Sequence, residues 1–239
     1  MKEAKVLYTF DFLGFKLKLT DQGLHSIIVQ WAIMALIIIV AIILTRNLKS
    51  RPDRKQTVLE MLVTWIRDLV DSNMGKEYRK FVPFIGTIGI YLILLNLVGI
   101  FAIKPPTSDL STTLGLAIVS FTVVNAYSMK SNGIVGYIKG LAHPMAFMFP
   151  LNLMERGIYL FTLTLRLFGN ILVGTIIIDL VYNGLVCNLG NSLLGNFGFV
   201  LGLGLPIPLH FFFDLFDGAI QTFIFMMLTM ANIKMVNED

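Results

Sequence analysis

Near the C-terminus, His210, Asp214, Asp217 and Gln221 interrupt a stretch from Leu209 to Met230 in which every other residue is apolar, glycine or threonine. Their spacings of 4, 3 and 4 place all of them on one face of an α-helix. Two carboxylates one turn apart repel each other and favour holding a proton between them. In a membrane such groups cost about 2.5–3.5 kcal/mol each by insertion scales, and they mark ion paths by default. The same stripe would also serve as a hydrogen-bonding seam between helices. Upstream, Arg166 has no acidic residue three or four positions away on either side. An arginine keeps its proton in proteins, so Arg166 is a fixed positive charge without a local neutraliser. Its partner is either Asp214 or Asp217 of the same chain or a carboxylate on another subunit. Thr175 and Asp179, again one turn apart, lie about 140–180° around the helix from Arg166 at ~100° per residue. A helix with a fixed cation on one side and a titratable group on the other suits a divider between two water paths.

The elements that must hold these residues are apolar. Of 239 residues, 56% are hydrophobic and 14% charged, and the mean hydropathy is +0.76. Soluble domains run nearer 45–50% apolar and about 25% charged, so the composition excludes a soluble enzyme, a disordered chain and a disulfide scaffold. The single Cys187 excludes an internal disulfide and a cysteine metal site. The net charge of +4 reports topology rather than nucleic-acid binding. A span needs roughly 20 apolar residues. The expected architecture is an all-α integral membrane protein with about five transmembrane helices and one amphipathic interfacial helix. Residues 1–24 form an outer N-terminal segment, 25–45 the first span, 57–73 the interfacial helix, 81–129 two spans and 150–235 a helix hairpin that forms the ion path. The third span, near 114–129, is followed by a loop carrying Lys130 and Lys139. Asn96 inside the second span reads as a helix–helix hydrogen bond. Ser108 or Asp109 can cap the helix after Pro105 and Pro106.

Five of the ten residues 46–55 are basic, which places that loop in the cytoplasm, the N-terminus outside and the C-terminus inside. No cleavable leader is visible. The apolar stretch 151–182 would be ~48 Å long as an unbroken helix, well beyond the ~30 Å core, so the last two helices are expected to be long and steeply tilted. Residues 183–196 read as an outer hairpin connection, Gly198 and Gly202 as a packing pair, and Pro206 and Pro208 as a break before a last helix over 209–233.

Four stretches closely resemble subunit a of the rotary, F-type ATP synthase. They are Leu165-Arg166-Leu167-Phe168-Gly169-Asn170; Pro106-Thr107-Ser108-Asp109 followed by Thr112-Thr113-Leu114; Pro150-Leu151-Asn152-Leu153-Met154-Glu155; and Ala219-Ile220-Gln221-Thr222-Phe223-Ile224-Phe225 with Leu228-Thr229. Their order and spacing match over about residues 25 to 235. The resemblance implies a static membrane subunit that holds two offset half-channels against a rotating ring of c subunits. It implies as partners the c ring, the b-subunit peripheral stalk, the remaining ATP synthase subunits and the lipid bilayer of a bacterial plasma membrane. No cofactor or metal is implied. Arg166 matches the family's essential arginine, Asn170 and Gln221 match polar positions flanking it, and Asp214 matches an outer half-channel position.

Thr175 departs from the pattern, since many relatives carry Glu there. Asp179 or Asp217 is then expected to take the proton-accepting role. Glu155 and Thr162 are weaker inner half-channel candidates, Glu155 reading equally well as a charge favoured at a helix start. No Gly-x-x-x-x-Gly-Lys phosphate loop is present, so the chain is expected to do no nucleotide chemistry. The alternative is a stand-alone secondary ion transporter, against which stand the absence of a visible internal repeat and the odd span count.

Overall fold

The structure is a computed structural model that describes residues 6–12, 15–46, 53–101, 105–141, 147, 149–184, 204, 208–209 and 211–238. Five helices are long and apolar enough to cross a membrane, Gly23–Thr45, Lys76–Ile100, Leu110–Ser131, Phe149–Val181 and Phe211–Met235. The membrane part is therefore all-α, as the composition requires.

Ahead of it stands an element the apolar pattern does not reveal. Strands β1 (Val6–Phe12) and β2 (Phe15–Thr20) pair antiparallel, with Phe12 opposite Phe15 and Val6 opposite Thr20. The N-terminal segment is thus a hairpin. Its signal was present in the alternation of Tyr8, Phe10 and Phe12 with polar residues, a period of two.

Helix α1 (Asp21–Thr45) presents Ile28, Trp31, Leu36 and Ile39 outward. Its inner edge is polar at one end. Ser26 donates to the Asp109 carboxylate, and Gln30 Nε2 donates to Thr112 Oγ1 at 2.8 Å. Hydrocarbon offers no hydrophobic drive for helix association, so such side-chain bonds do the docking. Helix α2 (Arg54–Asn73) is the amphipathic element, starting three residues before the expected 57. It buries Ile66 and Val70 and exposes Trp65 and Met61. A 3₁₀ turn, Lys76–Phe81, leads into α3 (Val82–Leu97). There Arg79 pairs with Asp71 at 2.6 Å. The hydrogen bond from that guanidinium holds the Asp71 carboxyl below its ordinary range. Lys80 Nζ donates to Tyr127 Oη at 2.6 Å and stands 4.0 Å from that ring's centroid.

Helix α4 (Leu110–Leu141) starts at Asp109, as the Pro-Thr-Ser-Asp sequence suggests, but the Asp109 side chain is taken by Ser26 rather than by its own helix. The expected loop after residue 129 is a further helical segment. Gly133, at φ 71°, breaks the helix, and a second helical stretch follows across the kink, a conformation open to glycine because it lacks Cβ. The bent-back turn is fastened by Asn125, whose Oδ1 accepts from Tyr137 Oη at 2.6 Å and from Arg156 Nη1 at 3.0 Å.

Helix α5 (Phe149–Asn183) runs 35 residues without a break. The chain's last element opens as a π-helical turn, Phe211–Asp217, and continues as α6 (Gly218–Glu238). The core forms where α3, α4, α5 and α6 meet. One cluster joins Ile88, Leu92, Ala117, Leu163, Leu167 and Phe225; a second joins Val70, Phe81, Ile85, Val124, Met226, Met230 and Ile233.

Candidate functional site

Arg166 stands one residue from the midpoint of the span Phe149–Val181. On α5 the residues Leu163, Leu167, Gly174 and Ile178 are buried against the bundle. At ~100° per residue this buried face is centred about a quarter turn from Arg166, which leaves Arg166 exposed at the bundle's edge. Among the described residues no carboxylate pairs with it. The intrachain partner Asp217 is therefore not used; the side chain of Asp214 lies outside the described part of the structure, as does all of His210.

One turn further along α5, Asn170 turns into the bundle. Its Nδ2 donates to Gln221 Oε1 at 3.0 Å, and Gln221 is only 3% exposed. Two polar residues 51 apart in sequence thus close the seam between α5 and α6 beside the arginine. Behind Gln221 the polar contacts continue. Asn96 Nδ2 donates to the Gly218 carbonyl at 3.2 Å and to Thr222 Oγ1 at 3.4 Å, while Thr107 Oγ1 donates to Asn96 Oδ1 at 3.1 Å. The mid-span Asn96 makes the interhelical bond its position suggested. The contact demands a glycine, since a Cβ on Gly218 would stand 2.9 Å from Asn96 Cβ.

A cavity of about 20 Å³ lies between these elements, lined by Asn96, Asn170, Gly174, Thr175, Phe213 and Gly218 among others. That is room for one water with polar neighbours. Thr175 is half-buried at its wall and returns its own hydroxyl to the Leu172 carbonyl at 2.9 Å. Asp179 is exposed, on the side of α5 that also presents Ile176 and Leu180. Asp217 is half-buried at the junction of the π turn and α6. Glu155 is exposed and Thr162 half-buried on the Arg166 side of α5.

The π turn corrects the expected stripe. Spacings of 4, 3 and 4 share a face only on a helix of 3.6 residues per turn. Over Phe211–Asp217 each turn takes more residues, so the backbone phase between position 214 and Gln221 is shifted; the expected place of His210 on the stripe lies outside the described residues. Asp217 and Gln221, separated by four residues with all later turns α-helical, keep their relation. Phe212, Phe213 and Phe216 pack together across this turn, with centroids 5.3 Å and 5.5 Å from Phe212. Sequence reasoning missed Thr107, Thr222, Gly174 and Phe213 at this site. Thr107 and Thr222 belong to the quoted motifs and could have been found there; Gly174 and Phe213 carried no signal apart from their contact.

Comparison with known proteins follows the same residues. The profile of the ATP synthase A chain family matches residues 27–234. The chain is 35% identical to ATP synthase subunit a of Priestia megaterium over 93% of both chains, and 33% identical to that of Bacillus subtilis over 93% of both. It is 34% identical to the protein of Propionigenium modestum named ATP synthase subunit a, sodium ion specific, covering 87% of this chain and 72% of that one. With an arginine at the middle of its longest described span that has no carboxylate partner among the described residues, and a family match over residues 27–234, the chain belongs to the ATP synthase subunit a family.

Proposed function

We propose that the chain is the stationary ion-carrying subunit of an ATP synthase membrane motor, with two half-channels that meet a rotating ring of c subunits at Arg166. The observation that carries this reading is the exposure of Arg166 at mid-span with no carboxylate beside it among the described residues. A charge in that position needs a partner. A carboxylate on each ring subunit supplies one.

An ionised carboxylate is strongly disfavoured in lipid and crosses it only in neutral form. Beside Arg166 the anion is stabilised, so the incoming group releases its ion there. Arg166 also bars direct passage between the half-channels, because a cation repels protons and sodium ions alike. Asn170 and Gln221, bonded to each other, close the seam behind it. Asp217, Asp214 and His210, with Thr175 and Asp179 on the facing helix, serve the outer half-channel, and Glu155 and Thr162 serve the inner one. The peripheral b subunits hold the chain against rotation. Nucleotide chemistry belongs to other subunits. The basic loop 46–55 and the C-terminus face the cytoplasm of a bacterial plasma membrane, and the hairpin faces outward. One elementary charge per 100 mV is worth ~2.3 kcal/mol, which the motor sums over several steps for each ATP.

The test is Arg166→Ala in the assembled complex, followed by ATP-driven acidification of inverted vesicles. The expected outcome is loss of pumping with assembly intact, together with a passive ion leak. Pumping at the wild-type rate would refute the assignment.

A further inference from the structure

Ser120 on α4, Tyr159 on α5 and Thr229 on α6 carry buried hydroxyl oxygens with no hydrogen-bond partner among the described residues. Ser120 and Thr229 are both 0% exposed. All three stand at the seam between the two apolar clusters. Ser120 lies one turn from Ala117 of one cluster and one turn from Val124 of the other. Thr229 follows Phe225 by one turn and precedes Met230, while Tyr159 packs on the cluster that contains Ala117, Leu163 and Phe225. The Thr229 hydroxyl faces that of Tyr159 closely enough to act on it, yet the two lack hydrogen-bond geometry.

A buried hydroxyl without a partner is destabilising, and more so where the surroundings are apolar. Serine and threonine can return their proton to a carbonyl one turn back, as Thr164 does to Leu160 at 2.9 Å. Tyr159 cannot, because its hydroxyl stands at the far end of the ring. We propose that Ser120, Tyr159 and Thr229 form a buried binding site for a single water molecule, held between α4, α5 and α6. A water has two protons to donate and two lone pairs to accept with, and three buried hydroxyls on three helices of the core fall within the two to four partners that internal waters use. One turn before Tyr159 stands Arg156, bonded to Asn125 and near Tyr137. That polar group gives the water a route to the nearer end of the bundle. The site lies two turns from Arg166 along α5, inside the bundle rather than on the exposed edge. It does not depend on what Arg166 does.

Two measurements on the full chain in its purified complex test the site. A map that resolves waters should show one density within hydrogen-bond reach of the three hydroxyls. Apolar side chains closing that space, or Tyr159 donating directly to Thr229, would overturn the proposal. The second measurement is heat stability of the subunit in Tyr159→Phe, Thr229→Val, Ser120→Ala and the triple variant. Each single change should lower the transition by leaving the water and the other hydroxyls short of partners. The triple variant, which removes the whole polar layer, should lie above the sum of the single losses. Additive losses would mean three independent hydroxyls and no shared water.

Discussion

Asn170 is held by Gln221 while Arg166, one turn away on the same helix, has no partner among the described residues. The contrast divides the labour at this point of α5. The amide pair ties α5 to α6, and on the proposed function the guanidinium meets a partner that comes and goes. The two candidate acids differ in the same way. Asp217 is half-buried four residues before Gln221, and Asp179 faces outward among exposed aliphatic side chains. Asp217→Asn is expected to slow ATP-driven pumping at least tenfold and Asp179→Asn less than threefold, on the general scale of losing a proton-transfer group. Equal rates for both variants and wild type, measured as initial acidification of inverted vesicles, would remove both from the ion path. Arg166, Asn170 and Gln221 were legible as residues because their types are costly inside spans. The bond between Asn170 and Gln221 was not, since it depends on the rotation of α5 against α6, which spacing within either helix leaves free.

At the scale of elements, the π turn Phe211–Asp217 has the greatest effect. It behaves as one extra residue in an α-helix, and such insertions gather at functional sites. Its presence shifts the backbone phase of position 214 relative to Gln221. Deleting one of Phe211, Phe212 or Phe213 should return the segment to α geometry and rotate everything before it by ~100°. The deletion is expected to abolish pumping while the subunit still assembles with its complex; retained pumping would show that the phase does not matter. The turn was invisible in the sequence because a run of phenylalanines reads as apolar at either period. The kink at Gly133 was hidden for a related reason. Lysines and glycines after residue 129 read as loop, yet the bonds from Tyr137 and Arg156 to Asn125, distant in sequence, hold that stretch helical. The spans themselves were legible throughout, because length and apolarity are local properties.

The whole molecule has a small shared core and a large apolar exterior. Ile28, Trp31 and Ile43 on α1, Phe161 and Leu165 on α5 and Phe211 and Phe216 near α6 all point outward. Lipid covers such side chains at no cost, but it cannot cover Arg166 in the same way. A charge at mid-span is disfavoured by about 2.5–3.5 kcal/mol on insertion scales, and on the proposed function a second protein relieves that penalty. On the proposed function, a newly made copy without its ring would carry a built-in instability. Such an orphan should tilt, draw water in or leave the bilayer, and membrane proteases should clear it. In cells lacking the c subunit, the wild-type chain is expected to be short-lived and Arg166→Leu longer-lived, as measured by pulse-chase; equal lifetimes would show that the bare charge is tolerated. On the proposed function, Arg166 would then serve both the motor and quality control, ensuring that an ion-conducting stator does not persist without its rotor.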